Sequence, residues 1–210
     1  MAPTILFTDR SHGDLAVGSP GVEGRRPFVA PAPWTWLHQV HGARVVVVTA
    51  PGEHAGARAD AAVTATSGCT LAVQAADCAP VALVGDGVVG VAHAGWRGIL
   101  EGVLPATVAA MRSLGSDAIH AAIGPCIRPR CYEFGADDLE AVAEVLGEQV
   151  RGVTRDGRPA LDVPAAVRAS LASVGVDRVA DVDICTACSS DHWSFRARSD
   201  AGRQAVVAWT

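Results

Sequence analysis

Residues 71–98 of the 210-residue chain read LAVQAADCAPVALVGDGVVGVAHAGWRG, and this stretch decides how the rest of the chain is arranged. Its three short apolar runs, at 71–73, 81–84 and 88–92, are separated by Asp, Pro and Gly residues of the kind that bound buried strands. A hairpin between the second and third runs would bring Cys78 and His93 to the same end of a sheet. The sequence therefore predicts a thiol and an imidazole side by side.

A third donor lies upstream, where His41 immediately precedes a Val-rich run. Two imidazoles and one thiolate form a plausible three-ligand set for a catalytic zinc, and a single copper ion also accepts such a set. His41, Cys78 and His93 are far apart in the sequence, so no local spacing fixes their geometry as it would in a zinc finger. A second interpretation therefore stays open, in which these side chains fill a core or a redox-inert pocket.

Composition limits the classes of partner. Half of the residues are hydrophobic, which is enough for one domain with a sizeable core. The net charge of −5 gives no general electrostatic reason to bind nucleic acid or an anionic membrane. The first ten residues lack the basic and apolar regions of a secretory signal, and no apolar run approaches the length of a membrane span. We expect a cytoplasmic protein without nucleic-acid or membrane partners; the oligomeric state is left open.

The order of predicted elements indicates the fold class. Strands occur in adjacent runs and the helices lie mainly between or after them, which favours an α+β fold over regular βαβ winding. With no linker, internal repeat or second core, we expect a single domain over 1–210. Pro105 should kink the first predicted helix or start a new one. Outside 71–98, strands are predicted at 4–7, 45–49, 61–64, 119–123, 179–184 and 205–209, and helices at 99–114, 135–146 and from 162 to 175.

Six cysteines are dispersed through a chain that is large enough not to need disulfides, so we interpret them as reduced thiols. Cys185 and Cys188 form a CxxC pair, which Cys126 and Cys131 could complete as a four-thiolate structural zinc site. A thioredoxin-like role is disfavoured because no βαβ pattern surrounds the pair.

Seven strings follow one another along the chain: QVHG at 39–42, ADCAP at 76–80, HAGWRG at 93–98, IGPCI at 123–127, CYEFG at 131–135, CT at 185–186 and SFRARSDAGRQA at 194–205. Together they resemble the motifs of the YfiH-like family, and the resemblance runs in order from about residue 8 to residue 209. That family was once named for multicopper polyphenol oxidase (laccase) activity and is now associated with purine nucleoside phosphorolysis. The resemblance implies a layered sheet core flanked by helices and a catalytic zinc on His41, Cys78 and His93.

The same resemblance implies a zinc-dependent purine nucleoside phosphorylase acting with phosphate on adenosine, inosine and S-methyl-5′-thioadenosine, with adenosine deaminase side activity. Peptidoglycan editing is an alternative within the family, in which an amide bond of a nucleotide-linked muramyl precursor is hydrolysed. A cysteine hydrolase with Cys78 as nucleophile and His93 as base would also use these residues. Copper-dependent polyphenol oxidation is disfavoured because multicopper oxidases need clustered histidines, and this chain has seven with no HxH pair.

Arginines are the first candidates for holding phosphate or substrate. Arg10 matches an arginine of the family, although the surrounding segment is shorter than usual, and an exposed turn arginine is the other interpretation. Arg97 lies near a predicted helix start, which favours an anion, and a structural salt bridge is its alternative. Arg196, Arg198 and Arg203, within the string at 194–205, are further candidates. Asp77, next to Cys78 in a segment predicted as extended, should face away from the metal and support the site.

Overall fold

Strands dominate the order of elements along the chain. The computed structural model describes residues 3–210, and within that range the chain forms thirteen strands and six α-helices. The strands are β1 Thr4–Phe7, β2 Trp34–His38, β3 Val45–Val47, β4 Ala57–Arg58, β5 Ala61–Thr64, β6 Thr70–Ala75, β7 Ala79–Gly85, β8 Val88–Ala94, β9 His120–Ile123, β10 Arg151–Val153, β11 Pro159–Leu161, β12 Val179–Asp181 and β13 Gln204–Trp209. The helices are α1 Val22–Val29, α2 Trp96–Leu100, α3 Val103–Ser113, α4 Ala136–Leu146, α5 Val163–Ala172 and α6 Phe195–Arg198. Short 3-10 turns lie at Arg10–His12, Pro129–Cys131 and Glu148–Val150.

Two mixed sheets hold most of the strands. One has the order β1-β13-β6-β2-β4 and the other β12-β9-β7-β8-β5-β3, while β10 and β11 form a separate hairpin. The sheets pack face to face through a shared apolar layer that includes Leu71, Val91 and Val206. Helices α2 to α5 cover the far face of the six-stranded sheet, and the segment around Leu15 and α1 covers the far face of the other. The layered α+β architecture is therefore confirmed.

Strands β7 and β8 form the predicted hairpin at the centre of the six-stranded sheet. Their antiparallel pairing runs from Gly85 and Val88 at the turn to Ala79 and Ala94 at the open end. Alternate side chains of β8 point into the layer between the sheets and into the layer beneath the helices. Burial on both faces explains why the sequence shows continuous apolar runs here instead of an alternating pattern.

The predicted helix at 99–114 is divided into α2 and α3. The break falls at Gly102, whose φ of 87° lies in the left-handed region that favours glycine. Pro105 lies in the first turn of α3, where a backbone N–H has no intrahelical partner and its loss costs no bond. The expected interruption is therefore present, but glycine causes it.

The remaining predicted elements are present, although the strands expected at 45–49 and 179–184 are shorter. Asp162 caps α5 by accepting a hydrogen bond of 3.0 Å from the Ala165 N–H. Helix α1 and the β10–β11 hairpin were not predicted. Across residues 3–210, no helix combines the length and the apolar character needed to span a membrane.

Candidate active site

The open end of the β7–β8 hairpin brings three predicted donors together. Cys78 immediately precedes β7, and His93 lies opposite Pro80 near the end of β8. His41 lies in the loop after β2, and its Nε2 is 3.8 Å from the Cys78 Sγ. One ligand atom from each of His41, Cys78 and His93 lies within 4.8 Å of the others. The group extends from the buried His93 to the exposed His41, so one side remains open to solvent.

Asp60, which was not among the predicted site residues, holds two members of this group. Its fully buried carboxylate lies 2.9 Å from the Nδ1 of His93. It also accepts hydrogen bonds of 2.9 to 3.0 Å from the backbone N–H groups of Val40, His41 and Gly42. The carboxylate therefore orients the His93 ring so that Nε2 is the nitrogen left free to bind a metal. It also holds the loop at His41, whose backbone φ is 60°.

The charges of Cys78 and His93 are coupled. Desolvation alone would raise the pKa of the Cys78 thiol, but His93 and His41 outweigh it and lower that pKa to about 6. Desolvation alone would lower the pKa of the His93 imidazole, but the neighbouring Cys78 and Asp60 outweigh it and raise that pKa to about 9. These directions favour the thiolate, which is the form of cysteine that binds metals and attacks electrophiles.

A close approach of the backbone at Gly95 leaves room for the three donors. A Cβ at this position would lie 2.7 Å from the His41 Cδ2 and 3.1 Å from the Cys78 Sγ. Only glycine leaves the imidazole and the sulfur in place, which gives the HAGWRG string a local steric reason. Two imidazoles and one thiolate with an open side fit a metal ion that has three protein ligands and a free position.

Asp77 supports the site by a different geometry from the one predicted. Its φ is 94°, so the segment is not extended here, and strand alternation does not orient its side chain. The carboxylate accepts hydrogen bonds of 2.7 Å from the Thr186 hydroxyl and from the Arg196 backbone N–H. The residue next to Cys78 therefore anchors the segment around 186 and the start of α6.

A cavity of about 500 Å³ opens beside the three donors. Its volume lies within the range of small-molecule sites. Tyr132 and the 61%-exposed Phe195 supply aromatic surface, and the Arg196 guanidinium lies over the Tyr132 ring at 5.1 Å. Other residues at the cavity wall are Val17, Leu37, His38, Gln39, Gln74, Ala75, Ala76, Asp77 and Arg203.

Arg10 and Arg97 are not among the residues at the wall of this cavity. The Arg10 guanidinium lies 2.7 Å from the Asp200 carboxylate and stacks on Trp193 at 3.9 Å. Arg97 is exposed on α2 and lies over the ring of its neighbour Trp96 at 4.2 Å. Their predicted roles in substrate binding stay predictions, while Arg196 and Arg203 are the arginines that the fold brings to the cavity.

The last cysteines form a second group. Cys131, Cys185 and Cys188 have sulfur atoms within 4.8 Å of one another. Cys126 does not belong to this group, because its side chain is fully buried in the core beneath the helices. The predicted four-thiolate site is therefore wrong, because the fold brings together three of the four cysteines and leaves out Cys126.

The family model for multi-copper polyphenol oxidoreductase laccase matches residues 25–210. The chain belongs to this family, which confirms the YfiH-like resemblance. A Streptomyces coelicolor protein named purine nucleoside phosphorylase is 43% identical over 201 residues, covering 93% of this chain and 80% of its own length. The Escherichia coli purine nucleoside phosphorylase YfiH is 37% identical over 193 residues, covering 88% of this chain and 78% of its own.

A solved structure supports the fold independently. The crystal structure of a Neisseria meningitidis protein of the family DUF152 superimposes with a TM-score of 0.88 at 30% identity, covering 99% of this chain and 93% of the other. The curated relatives carry the name of an enzyme, which supports an enzyme over a binding module for this family.

Proposed function

We propose that this protein is a purine nucleoside phosphorylase whose reaction centre is a zinc site formed by His41, Cys78 and His93. The observation that carries the proposal is the convergence of these three donors at the wall of a cavity with aromatic and cationic side chains. The relatives named purine nucleoside phosphorylase support the reaction class. Adenosine, inosine and S-methyl-5′-thioadenosine are the proposed substrates, with adenosine deamination as a side activity.

The donor set suits zinc because histidine and cysteine are its common ligands and three protein ligands are typical of catalytic sites. A zinc ion bound there would supply Lewis-acid stabilisation of negative charge that develops on the substrate. Asp60 keeps the Nε2 of His93 directed away from itself and holds the His41 loop. Because these ligands are already held in place, they need not move when charge develops on the substrate during the reaction.

Phosphorolysis also requires a cation for inorganic phosphate beside the ribose C1′. Arg196 is the first candidate, because no carboxylate forms an ion pair with it in the part of the chain that the structure describes. Its backbone N–H is held by Asp77, which fixes where α6 begins. Arg203 is the second candidate, although its Nη1 already donates to the carbonyls of residues 200, 201 and 202.

Aromatic surface at the cavity suits the purine. Phe195 is 61% exposed at the cavity although it is a large apolar residue. A flat ring presented at the cavity wall can stack on a purine base. Tyr132 packs edge-on against Phe134 at 5.3 Å, which restricts the orientation of its ring. We therefore assign base binding to Phe195 and Tyr132, and anion binding to the neighbouring Arg196.

Amide hydrolysis of a nucleotide-linked muramyl precursor is the alternative function. The proximity of Cys78 to two histidines, with its lowered pKa, is the observation that favours it. A copper-dependent polyphenol oxidase is the further alternative, since the name of the matching family model refers to that activity. Both alternatives place the chemistry at the same three side chains.

Dependence on phosphate distinguishes these reactions. The zinc-loaded protein should convert inosine and phosphate into hypoxanthine and ribose 1-phosphate, as a phosphate oxygen forms the bond to C1′ and the bond to the base breaks. Without phosphate, base release should stop. Release of free ribose would indicate hydrolysis, and ammonia from adenosine would report deamination. Absence of hypoxanthine with zinc fully loaded and phosphate saturating would overturn the proposal, and muramyl precursors would then be tested.

A further inference from the structure

A second group of sulfur atoms lies outside the cavity described above. Cys131 ends the 3-10 turn at Pro129–Cys131, while Cys185 and Cys188 lie in the loop that follows β12. The Sγ atoms of Cys131 and Cys188 are 3.2 Å apart, and all three sulfurs lie within 4.8 Å of one another. A tetrahedral zinc with Zn–S bonds of about 2.3 Å separates its sulfur ligands by about 3.8 Å. The shortest separation of 3.2 Å and the upper limit of 4.8 Å lie on either side of this value, so small side-chain adjustments would bring the three sulfurs to the spacing of ligands around one ion.

Backbone hydrogen bonds hold each cysteine independently of the thiols. The Thr186 N–H donates to the Cys126 carbonyl at 3.2 Å, which fixes the chain on one side of Cys185. The Cys188 N–H donates to the Cys185 carbonyl at 3.2 Å and closes the CxxC turn. The Cys131 N–H donates to the carbonyl of residue 128 at 2.9 Å. The convergence of the sulfurs is thus built into the fold.

Arginine side chains lie beside these sulfurs, at a cavity whose wall also carries Asp162, Asp181 and Asp183. The Nη2 of Arg155 lies 3.2 Å from the Cys188 Sγ, and Arg130 lines the same cavity of about 630 Å³. One zinc ion with three thiolates carries a net charge of −1, which guanidinium groups can neutralise while donating hydrogen bonds to sulfur. Arg128 at this cavity is already paired with Asp181 at 2.6 Å.

We propose that Cys131, Cys185 and Cys188 form a second zinc site with an all-thiolate ligand set. Each cysteine binds as a thiolate and releases its proton to solvent when the ion enters. Cys185 and Cys188 are partly or fully exposed, so a water molecule completes the fourth position. A disulfide would use only two of the three sulfurs and would leave the third without a role.

Three protein ligands and a water are also the arrangement of catalytic zinc sites, but the position of this second site, outside the first cavity and between two segments of that cavity's wall, gives it a structural role. Thr186 follows Cys185 directly, and its hydroxyl donates to Asp77 beside Cys78. Tyr132 follows Cys131 and lies at the wall of the first cavity. An ion on the three thiolates therefore cross-links two segments that shape the first cavity. The proposal does not depend on which reaction that cavity performs.

Cobalt binding tests the site in a background that lacks a ligand of the first site. Under reducing, anaerobic conditions the Cys78→Ser protein should bind Co²⁺ with a thiolate-to-cobalt charge-transfer band that saturates at one equivalent. Adding Cys188→Ser or Cys131→Ser removes one of three sulfur ligands and should weaken Co²⁺ binding and lower the band by a third or more, whereas adding Cys69→Ser, a buried cysteine between the two sheets, should leave both unchanged. Circular dichroism of each variant reports whether the fold is retained.

A second readout needs no variant. In the otherwise unmodified protein, zinc should protect all three cysteines from alkylation, as read by mass spectrometry of their peptides, and a chelator should expose them. An unchanged band and Co²⁺ affinity after adding Cys188→Ser, the absence of any band in Cys78→Ser, or a Cys131–Cys188 disulfide in protein purified anaerobically would each overturn the proposal.

Discussion

Residues 3–210 contain two groups of metal-type donors that differ in composition and surroundings. The first contains two imidazoles and one thiol at the end of the central hairpin, between a buried carboxylate and an open cavity. The second contains three thiols on surface segments beside arginines. Mixed ligands with an oriented histidine suit a site that must leave room for substrate, whereas thiolates alone suit a site that holds segments together.

The difference also concerns how the fold positions the donors. His93 and Cys78 lie at the end of strands that are buried on both faces, so the core determines their positions. The second group depends on turns and on one isolated bridge between residues 126 and 185. We infer that loss of the first group affects chemistry while loss of the second affects local rigidity.

Removal of a first-group imidazole should have the largest effect. His93→Ala deletes a donor and removes the imidazole partner of the buried Asp60, so phosphorolysis of inosine should fall by about 10³-fold or more, the scale of several kcal/mol of lost stabilisation. His120→Ala, at an exposed position at the start of β9, is the matched control and should keep near-normal turnover. Retention of more than a tenth of the activity by His93→Ala would exclude a central role for the group.

Asp60→Asn should come next, because the change leaves the donor set intact and alters only its support. The amide presents N–H groups toward backbone donors, and we expect metal affinity at the first group to fall by about 10- to 100-fold. Competition with a chelator measures this affinity, and Asp86→Asn in the exposed hairpin turn serves as control. Unchanged affinity would show that the His93 orientation does not depend on Asp60.

Gly95→Ala tests the close approach at the first group. The added Cβ would clash with His41 and Cys78, and overpacking of this kind costs about 1–3 kcal/mol. We expect kcat/KM to fall by about tenfold with little change in the second group. Gly24→Ala in α1 has no atom within 4 Å of the added Cβ and should be neutral. Equal activity of the two variants would mean that the contact at Gly95 relaxes without consequence.

Two arginine variants should give the smallest effects and compare the sequence prediction with the cavity. Arg196→Ala should raise the KM for phosphate by several-fold, because it removes one charge-assisted contact at a solvent-open cavity, where water partly replaces the guanidinium. Arg97→Ala, at an exposed position outside the cavity, should change that KM less. The reverse ranking would restore Arg97 as the phosphate ligand.

The hairpin and its two donors were predictable because the information is local. Two apolar runs and the Gly-Asp-Gly turn at 85–87 determine the pairing, and the pairing sets Cys78 beside His93. Asp60 was missed because its partners at 40–42 and 93 are distant in sequence. A lone acidic residue before an apolar strand does not indicate which backbone groups it will meet. The orientation of Asp77 was wrong because an extended segment was assumed where φ is positive.

Helix α1 shows another limit of sequence patterns. Its sequence, VEGRRPFV, contains a glycine and a proline, so intrinsic propensity does not favour a helix. Packing compensates, since the buried Arg26 pairs with Glu23 at 2.8 Å and lies over the Trp36 ring at 4.8 Å. Similarly, the short sequence separation between Cys126 and Cys131 suggested that both belong to one zinc site. The fold instead buries the Cys126 side chain in the core.

One paired measurement tests most directly whether the first group is the reaction centre. Cys78→Ser and Cys188→Ser change one sulfur to oxygen at the first and second group, respectively, and phosphate-dependent release of hypoxanthine from inosine is measured for both. The account predicts that Cys78→Ser loses phosphorolysis to near background while Cys188→Ser keeps most of it. Full activity in Cys78→Ser, or loss of activity in a folded Cys188→Ser with Cys78 intact, would contradict the assignment.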